Sequence, residues 1–236
     1  MTRTVLFNGS ELTYELTRKK VKNINLRVHP DGKISVSAGK RVSEKYIDSF
    51  VSEKAPFILK ALEKAKSEEK VRPTAFSSGE SFYHNGEKCI LTFVSGKKNL
   101  SEIKNGELVL TCRCDTEQER KRAFEKWERE EAEKVALPFI SKALKDFERY
   151  GISDVKIHFR RMKSRWGSCT PAKSEITLNV YLAEVPPECA EYVVYHEFTH
   201  FLEANHSNAF YSKLSEYIPD WKERREKMKK YCAVGR

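Results

Sequence analysis

The sequence has no apolar run approaching the roughly 18 residues that a membrane-spanning helix needs, so no transmembrane segment is expected. Its first residues, Met1-Thr2-Arg3-Thr4-Val5-Leu6-Phe7-Asn8, lack the apolar stretch of a secretory signal, and a cytoplasmic location is expected. The six cysteines (Cys89, Cys112, Cys114, Cys169, Cys189, Cys232) are scattered, and without a secretion signal free thiols are expected rather than disulfides. Cys112-Arg113-Cys114 is too short a pattern to define a metal site; in a strand its two thiols simply share one face. A Walker-type glycine-rich loop is missing, which removes the commonest phosphate cradle. No internal repeat is visible.

What is there suits a globular α+β protein. At 236 residues the chain fits one large domain or two small ones. Apolar residues make up 39%, yet thirteen Phe and ten Tyr can fill a core. Charged residues reach 33% with a net charge of +10, which suggests either plain solubility or affinity for polyanions.

Hydrophobic periodicity places the elements. Leu12, Tyr14 and Leu16 alternate with polar residues, as do Ile24, Leu26 and Val28, then Ile34 and Val36 beyond a His29-Pro30-Asp31-Gly32 turn; a β-hairpin with His29 exposed is predicted. Ser43 caps a helix carrying Tyr46, Ile47, Phe50 and Val51, which Pro56 breaks or kinks. A charged linker follows to Pro73. Turn signals at Ser78-Gly79, Asn85-Gly86, Ser95-Gly96 and Asn105-Gly106 separate three apolar segments that read as an antiparallel meander, with His84 facing solvent. A long charged helix starts near Glu117, kinks or restarts at Pro138 and stops at Gly151. Strands follow over Val155–Phe159 and from Ile176 to Leu182. The division expected is 1–115 as a β-rich accessory region and 116–236 as the catalytic region.

The second of these regions carries the chemistry. His196 and His200 are four residues apart on a helix expected over Pro187–Ala204, so their imidazoles share a face and can reach one Zn²⁺ or another divalent metal. Glu197 sits beside the first histidine, placed to take a proton from water, as in the H-E-x-x-H arrangement of zinc peptidases. His206, ten residues after His196, stands where the pattern H-E-x-x-H-x-x-G-x-x-H has its third ligand. Glu203 replaces that pattern's glycine, so Asn205 is expected to make the turn in a left-handed conformation. Just before the helix, Val155 to Ser174 holds six Lys/Arg and no acid, a concentrated positive field. Cys169 reads as a small packed residue.

Together, Arg165-Trp166-Gly167-Ser168-Cys169, Ile176-Thr177-Leu178-Asn179, His196-Glu197-Phe198-Thr199-His200 and His206-Ser207 resemble the YgjP-like metallopeptidase family, and more distantly the SprT-like and WLM metallopeptidases. The resemblance runs from about Val21 to Tyr231. It implies a compact zincin-like catalytic region behind an N-terminal β-containing region, His196, His200 and His206 as metal ligands, and Glu197 as general base.

Candidate substrate contacts are Arg161, Arg165, Trp166, Asn179 and Tyr211, with Arg161, Arg165 and Tyr211 the donors available to an oxyanion. The strand from Ile176 to Leu182 could pair with an extended substrate. Three functions compete. The first is a metal-dependent peptidase acting on peptides or proteins. The second is a nucleoside triphosphate pyrophosphatase or phosphohydrolase that clamps phosphate with Arg160, Arg161, Lys163 and Arg165. The third is a metal-stabilised module that binds nucleic acid, which Glu197 argues against.

Overall fold

A computed structural model describes residues 1–29, 32–67 and 71–231. Contacts divide the chain into a unit ending at Lys70 and a unit beginning at Val71. This is a different line from the division expected at 115/116. It leaves the second β-rich segment in the same compact unit as the histidine helix. The class is α+β, with helices and mixed sheets in both units. No helix among the described residues is long and apolar enough to cross a membrane.

In the first unit, β1 (Thr2–Phe7), β2 (Ser10–Arg18), β3 (Asn25–Val28) and β4 (Ile34–Ala38) form a sheet in the order β1-β2-β4-β3. The β1–β2 hairpin turns at Asn8-Gly9, both at positive φ (48° and 79°), as a two-residue hairpin turn requires. The alternating side chains Leu12, Tyr14, Leu16, Ile34 and Val36 are buried against Ile47, Val51, Ala55 and Ile58 of α1 (Glu44–Glu53) and α2 (Ala55–Ser67). Ser43 caps α1, accepting from Tyr46 N at 3.3 Å, and Pro56 falls in the first turn of α2, where proline lacks only an N–H that would go unpaired. The predicted hairpin is β3–β4, though Pro30 and Asp31 of its turn lie outside the described residues. His29 is half-buried rather than exposed, with Nε2 2.8 Å from Ser35 Oγ. The strand β1 had no sequence expectation, because its alternation is carried by few apolar residues.

The second unit opens with β5 (Ser81–His84), β6 (Glu87–Ser95), β7 (Leu100–Lys104) and β8 (Glu107–Cys112), ordered β5-β6-β8-β7. This corrects the predicted meander: β6 and β8 pair in parallel, and the polar strand β7 lies at the edge. The connection pattern repeats that of the first sheet, two hairpins joined through parallel central strands, without a repeat in sequence. The strand β8 ends at Cys112, which is buried, whereas Cys114 is exposed, so the two thiols do not share a face. His84 packs on Trp127 and approaches Glu131 at 3.3 Å instead of facing solvent.

Helix α3 (Glu117–Glu148) runs unbroken through Pro138 and ends before Gly151 (φ 78°). At 32 residues it spans about 48 Å, long enough to serve two cores. Phe124 and Trp127 pack on the β5–β8 sheet. Ala136, Ile140, Ala143 and Phe147 pack into the core that holds α4 (Pro187–Thr199). The remaining sheet, β9 (Lys156–Arg160), β10 (Gly167–Thr170) and β11 (Glu175–Asn179), is ordered β10-β11-β9. The predicted strand to Leu182 stops at Asn179 because the Asn179 side chain accepts from Tyr181 N (3.3 Å) and opens a 3-10 turn, Val180–Ala183. Two short helices, α5 (Asn208–Tyr217) and α6 (Trp221–Met228), close the described chain.

Candidate metal centre

Helix α4 is buried on nearly every side (Val193, Val194, Tyr195, Phe198), which fixes the direction in which each histidine points. It ends earlier than predicted, at Thr199, with His200 as its cap. Thr199 Oγ1 donates to Tyr195 O (2.7 Å), and Leu202 N reaches back to Thr199 O (3.0 Å), tightening the last turn. Asn205 does not turn the chain in a left-handed conformation: the non-glycine positive-φ residues among those described are Asn8, Phe76, Asn85, Asn105 and Ser174. Instead Ser207 N donates to Asn205 O (2.8 Å), and Ser207 Oγ caps α5 by accepting from Phe210 N (3.3 Å). That compact turn brings His206 back over α4 without needing a glycine.

The three imidazoles converge. Candidate ligand atoms of His196, His200 and His206 lie within 4.8 Å of one another. Nε2 of His206 is 2.9 Å from Nε2 of His196. His200 Nδ1 lies 3.2 Å from Glu203 O, an arrangement in which Nδ1–H donates and leaves the Nε2 lone pair free. Phe210, fully buried, forms the floor, its ring 4.9, 4.7 and 4.8 Å from the rings of His196, His200 and His206. Tyr211 stacks between His206 (6.1 Å) and Trp221 (4.3 Å), holding the third imidazole from the side.

The donor set fits a metal. Burial, then the neighbouring His200 and His206, and then the Arg225 guanidinium push the His196 pKa down to about 3; burial first, then His200 and Arg225, lowers that of His206. Both rings therefore keep their lone pairs at neutral pH. Three imidazole donors with one open side match a catalytic zinc, for which tetrahedral Zn–N bonds of about 2.0–2.1 Å place nitrogens roughly 3.3 Å apart. His196 Nδ1 is buried without a hydrogen-bond partner among the described residues, and Nε2 is the nitrogen it turns toward His206.

A cavity of about 440 Å³ opens beside these rings, lined by Glu197, Arg165, Trp166, Cys169 and Tyr192 among others. Glu197 is 5% exposed, and burial raises its carboxyl to about 8 against the opposing pull of Arg165. It makes no hydrogen bond to a described residue. Its side chain lies against Gly167, where a Cβ would fall 2.5 Å from Oε1 and 2.6 Å from Cγ. Gly167 is thus required by close approach, a role the Trp166-Gly167 dipeptide alone did not reveal. Cys169 is half-buried, and burial followed by the Glu197 charge pushes its thiol up to about 12, so it stays an uncharged packed residue.

The sequence-derived substrate candidates part company here. Arg165 and Trp166 line the cavity; Arg161, Asn179 and Tyr211 do not. Arg161 is tied to α3 by Glu125 (2.9 Å) and Glu128 (2.5 Å), next to Arg72, which bridges Glu128 (2.7 Å) and Glu184 (3.0 Å). Asn179 is fully buried and uses its whole amide: Nδ2 donates to Met162 O and Arg165 O (2.8 Å each), and Oδ1 accepts from Met162 N and Tyr181 N (3.3 Å each). It pins the loop that carries Arg165 and Trp166. Arg160 lines a separate recess between α3 and β9. The basic run therefore does not converge on the site. Phe210 and Tyr192 were missed because aromatic residues at helical spacing read as ordinary core.

A model of the YgjP-like, metallopeptidase domain matches residues 22–231. No curated protein matches the chain. Among solved structures, the metallopeptidase zymogen abylysin of Pyrococcus abyssi is 20% identical, over 38% of this chain and 90% of that one, with a TM-score of 0.33. The zymogen jannalysin of Methanocaldococcus jannaschii is 23% identical, over 38% and 92%, with a TM-score of 0.32. With the family match spanning both the loop at Gly167 and the histidine triad, the chain belongs to the YgjP-like metallopeptidase domain family.

Proposed function

We propose that this chain hydrolyses peptide bonds at a single zinc held by His196, His200 and His206, with Glu197 as general base. The observation that carries this reading is the opening of the three converging imidazoles and the Glu197 carboxyl into one cavity. When bound, zinc would supply a Lewis acid that polarises a carbonyl and brings the pKa of water toward roughly 7. Glu197 takes the proton of the attacking water and passes it to the leaving amine. Its burial makes the carboxyl a strong base for its type, and the Arg165 charge keeps the ionised form within reach. Of the three oxyanion donors offered by the sequence, Arg165 alone lines the cavity.

The substrate strand adds to a different edge from the one first expected. β11 is central, paired with β10 on one side and β9 on the other, so it has no free edge. β10, which carries Gly167 and Cys169 along the cavity, is the sheet edge that an extended peptide can join. The nucleotide reading has no observation in its favour, since Arg161 is engaged by two glutamates and Arg160 faces another recess. The test is a peptide-library digest with zinc-quantified wild type and Glu197→Gln. Cleavage that falls about 10²–10⁴-fold in the variant while zinc is retained supports the proposal. Cleavage that survives the substitution, or phosphate release from nucleoside triphosphates without peptide cleavage, contradicts it.

A further inference from the structure

The first unit carries fifteen Lys/Arg against nine Asp/Glu in sequence, and its cations are unevenly used. Arg3 is paired with Glu44 and Asp48, and Lys54 with Glu53. In contrast Lys19, Lys20, Lys22, Lys40 and Arg41 are all exposed, and none has an ion pair or side-chain hydrogen bond with a described residue. They sit on two loops, after β2 and after β4, that the backbone clamps together. Lys19 N donates to Ala38 O (3.0 Å), and the Arg18 guanidinium reaches across to Gly39 O (3.0 Å) and Val42 O (2.6 Å). The approach is close enough that a Cβ at Gly39 would lie 3.2 Å from Val21 O. Five like charges are thereby held at one end of one sheet, none of them paired with an acid among the described residues, which favours a partner that brings negative charge from outside.

The sheet surface leading away from this rim is polar. The face opposite the helices presents, in one row across three strands, Thr17, Ser37 and Asn25. Arg27 follows one row further on, level with Ser35, whose hydroxyl meets His29. The nearest carboxylate on that face is Glu15, also level with Ser35. A cationic rim continuing into a row of hydroxyl and amide groups matches what a phosphodiester backbone asks for: charge to replace its counterions, and neutral donors for its phosphate and sugar oxygens.

We propose that the first unit is a nucleic-acid-binding surface, in which the clamped loops bearing Lys19, Lys20, Lys22, Lys40 and Arg41 contact the backbone of a nucleic-acid strand. The contact is electrostatic and indifferent to sequence. Its residues all belong to the first unit and those of the histidine site to the second, and the proposal stands whether or not the chain is a peptidase.

The test uses the full chain and a fluorescein-labelled single-stranded oligonucleotide, with affinity followed by anisotropy across a salt series. Five phosphate contacts at a slope of about 0.7 each predict roughly 100-fold weaker binding between about 50 and 200 mM salt. Replacing all five cations by Gln flattens that slope and lowers low-salt affinity more than about 10-fold. A control removing the same charge from exposed positions of the second unit (Lys98, Lys145, Lys173, Lys222 and Lys230, all to Gln) retains binding. Far-ultraviolet circular dichroism confirms that both variants fold. The proposal is overturned if wild type fails to bind at low salt, or if the two five-fold variants lose affinity equally. It is equally overturned if polyglutamate or phosphatidylserine vesicles compete with the oligonucleotide better than an unlabelled oligonucleotide does.

Discussion

Gly167→Ala tests whether the strand at the cavity edge sets the position of the general base. The added methyl would fall 2.5 Å from Glu197 Oε1 and 2.6 Å from Cγ, whereas ordinary contact begins near 3.4 Å. One of the two must give by about 0.9 Å. Glu197 lines the cavity and no hydrogen bond to a described residue holds its carboxyl, so the side chain swings before the strand moves. Accommodating one extra methyl costs about 1–3 kcal/mol at most, a fall in Tm of no more than about 10 °C for a unit of this size. Displacing a catalytic group by about 1 Å costs on the order of 10²-fold, equivalent to about 2.7 kcal/mol in the barrier. The expected result is therefore a folded, zinc-binding protein whose kcat on a cleavable peptide is down about 100-fold, with KM little changed. The same substitution in the Glu197→Gln background should add almost nothing, because the two changes act on one group. Full activity in Gly167→Ala, or an undiminished further loss in the double variant, refutes the reasoning.

Other consequences follow from the same packing. Asn179→Ala strands Met162 N and the carbonyls of Met162 and Arg165, so a loss of about 2–4 kcal/mol in stability is expected, seen as a lower urea midpoint; an unchanged midpoint contradicts the loop-pinning role. Arg165→Ala should lower peptide turnover with zinc retained, while Arg161→Ala should chiefly lower Tm by leaving Glu128 short of a partner; turnover measured beside melting separates the two. Burial raises the Glu184 carboxyl well above its ordinary range, against the pull of Arg72, and Glu128 beside it is raised as well. The unfolded chain releases the Glu184 proton near pH 4.5 and the folded chain keeps it, so stability falls as pH rises above about 4.5. Glu184→Gln removes that component, and its melting temperature should decline less steeply than wild type from pH 5 to 8; parallel pH profiles would contradict the assignment.

The convergence of the three imidazoles was legible because its information is local. A four-residue spacing on a helix fixes which imidazoles meet, and a third histidine after a short turn needs only a compact reversal. Even so, the turn at Asn205 uses a backbone hydrogen bond to Ser207 rather than a left-handed residue, a choice between two local solutions that residue types do not settle. The hairpin at Asn85-Gly86 was readable from its turn and two apolar arms, whereas those at Asn8-Gly9 and Asn105-Gly106 were not, because β1 and β7 carry too few apolar residues to show alternation. The parallel pairing of β6 with β8 was not readable either, since it depends on which strand docks beside which after an intervening strand has left for the edge. Arg161 and Asn179 show the same limit at the level of single side chains. Both looked available for substrate, yet Glu128 of α3, 33 residues earlier, engages one, and the loop at Met162 occupies the other. The need for glycine at 167 likewise arises from Glu197, thirty residues later in the chain.

The most direct test of the account is zinc stoichiometry by inductively coupled plasma mass spectrometry, paired with a competitive affinity titration on wild type and His206→Ala. One zinc per wild-type chain, with affinity falling more than about 100-fold in the variant, is the predicted result. A wild-type protein that takes up no zinc, or a variant that binds it as tightly as wild type, contradicts the convergence of His196, His200 and His206 on one ion.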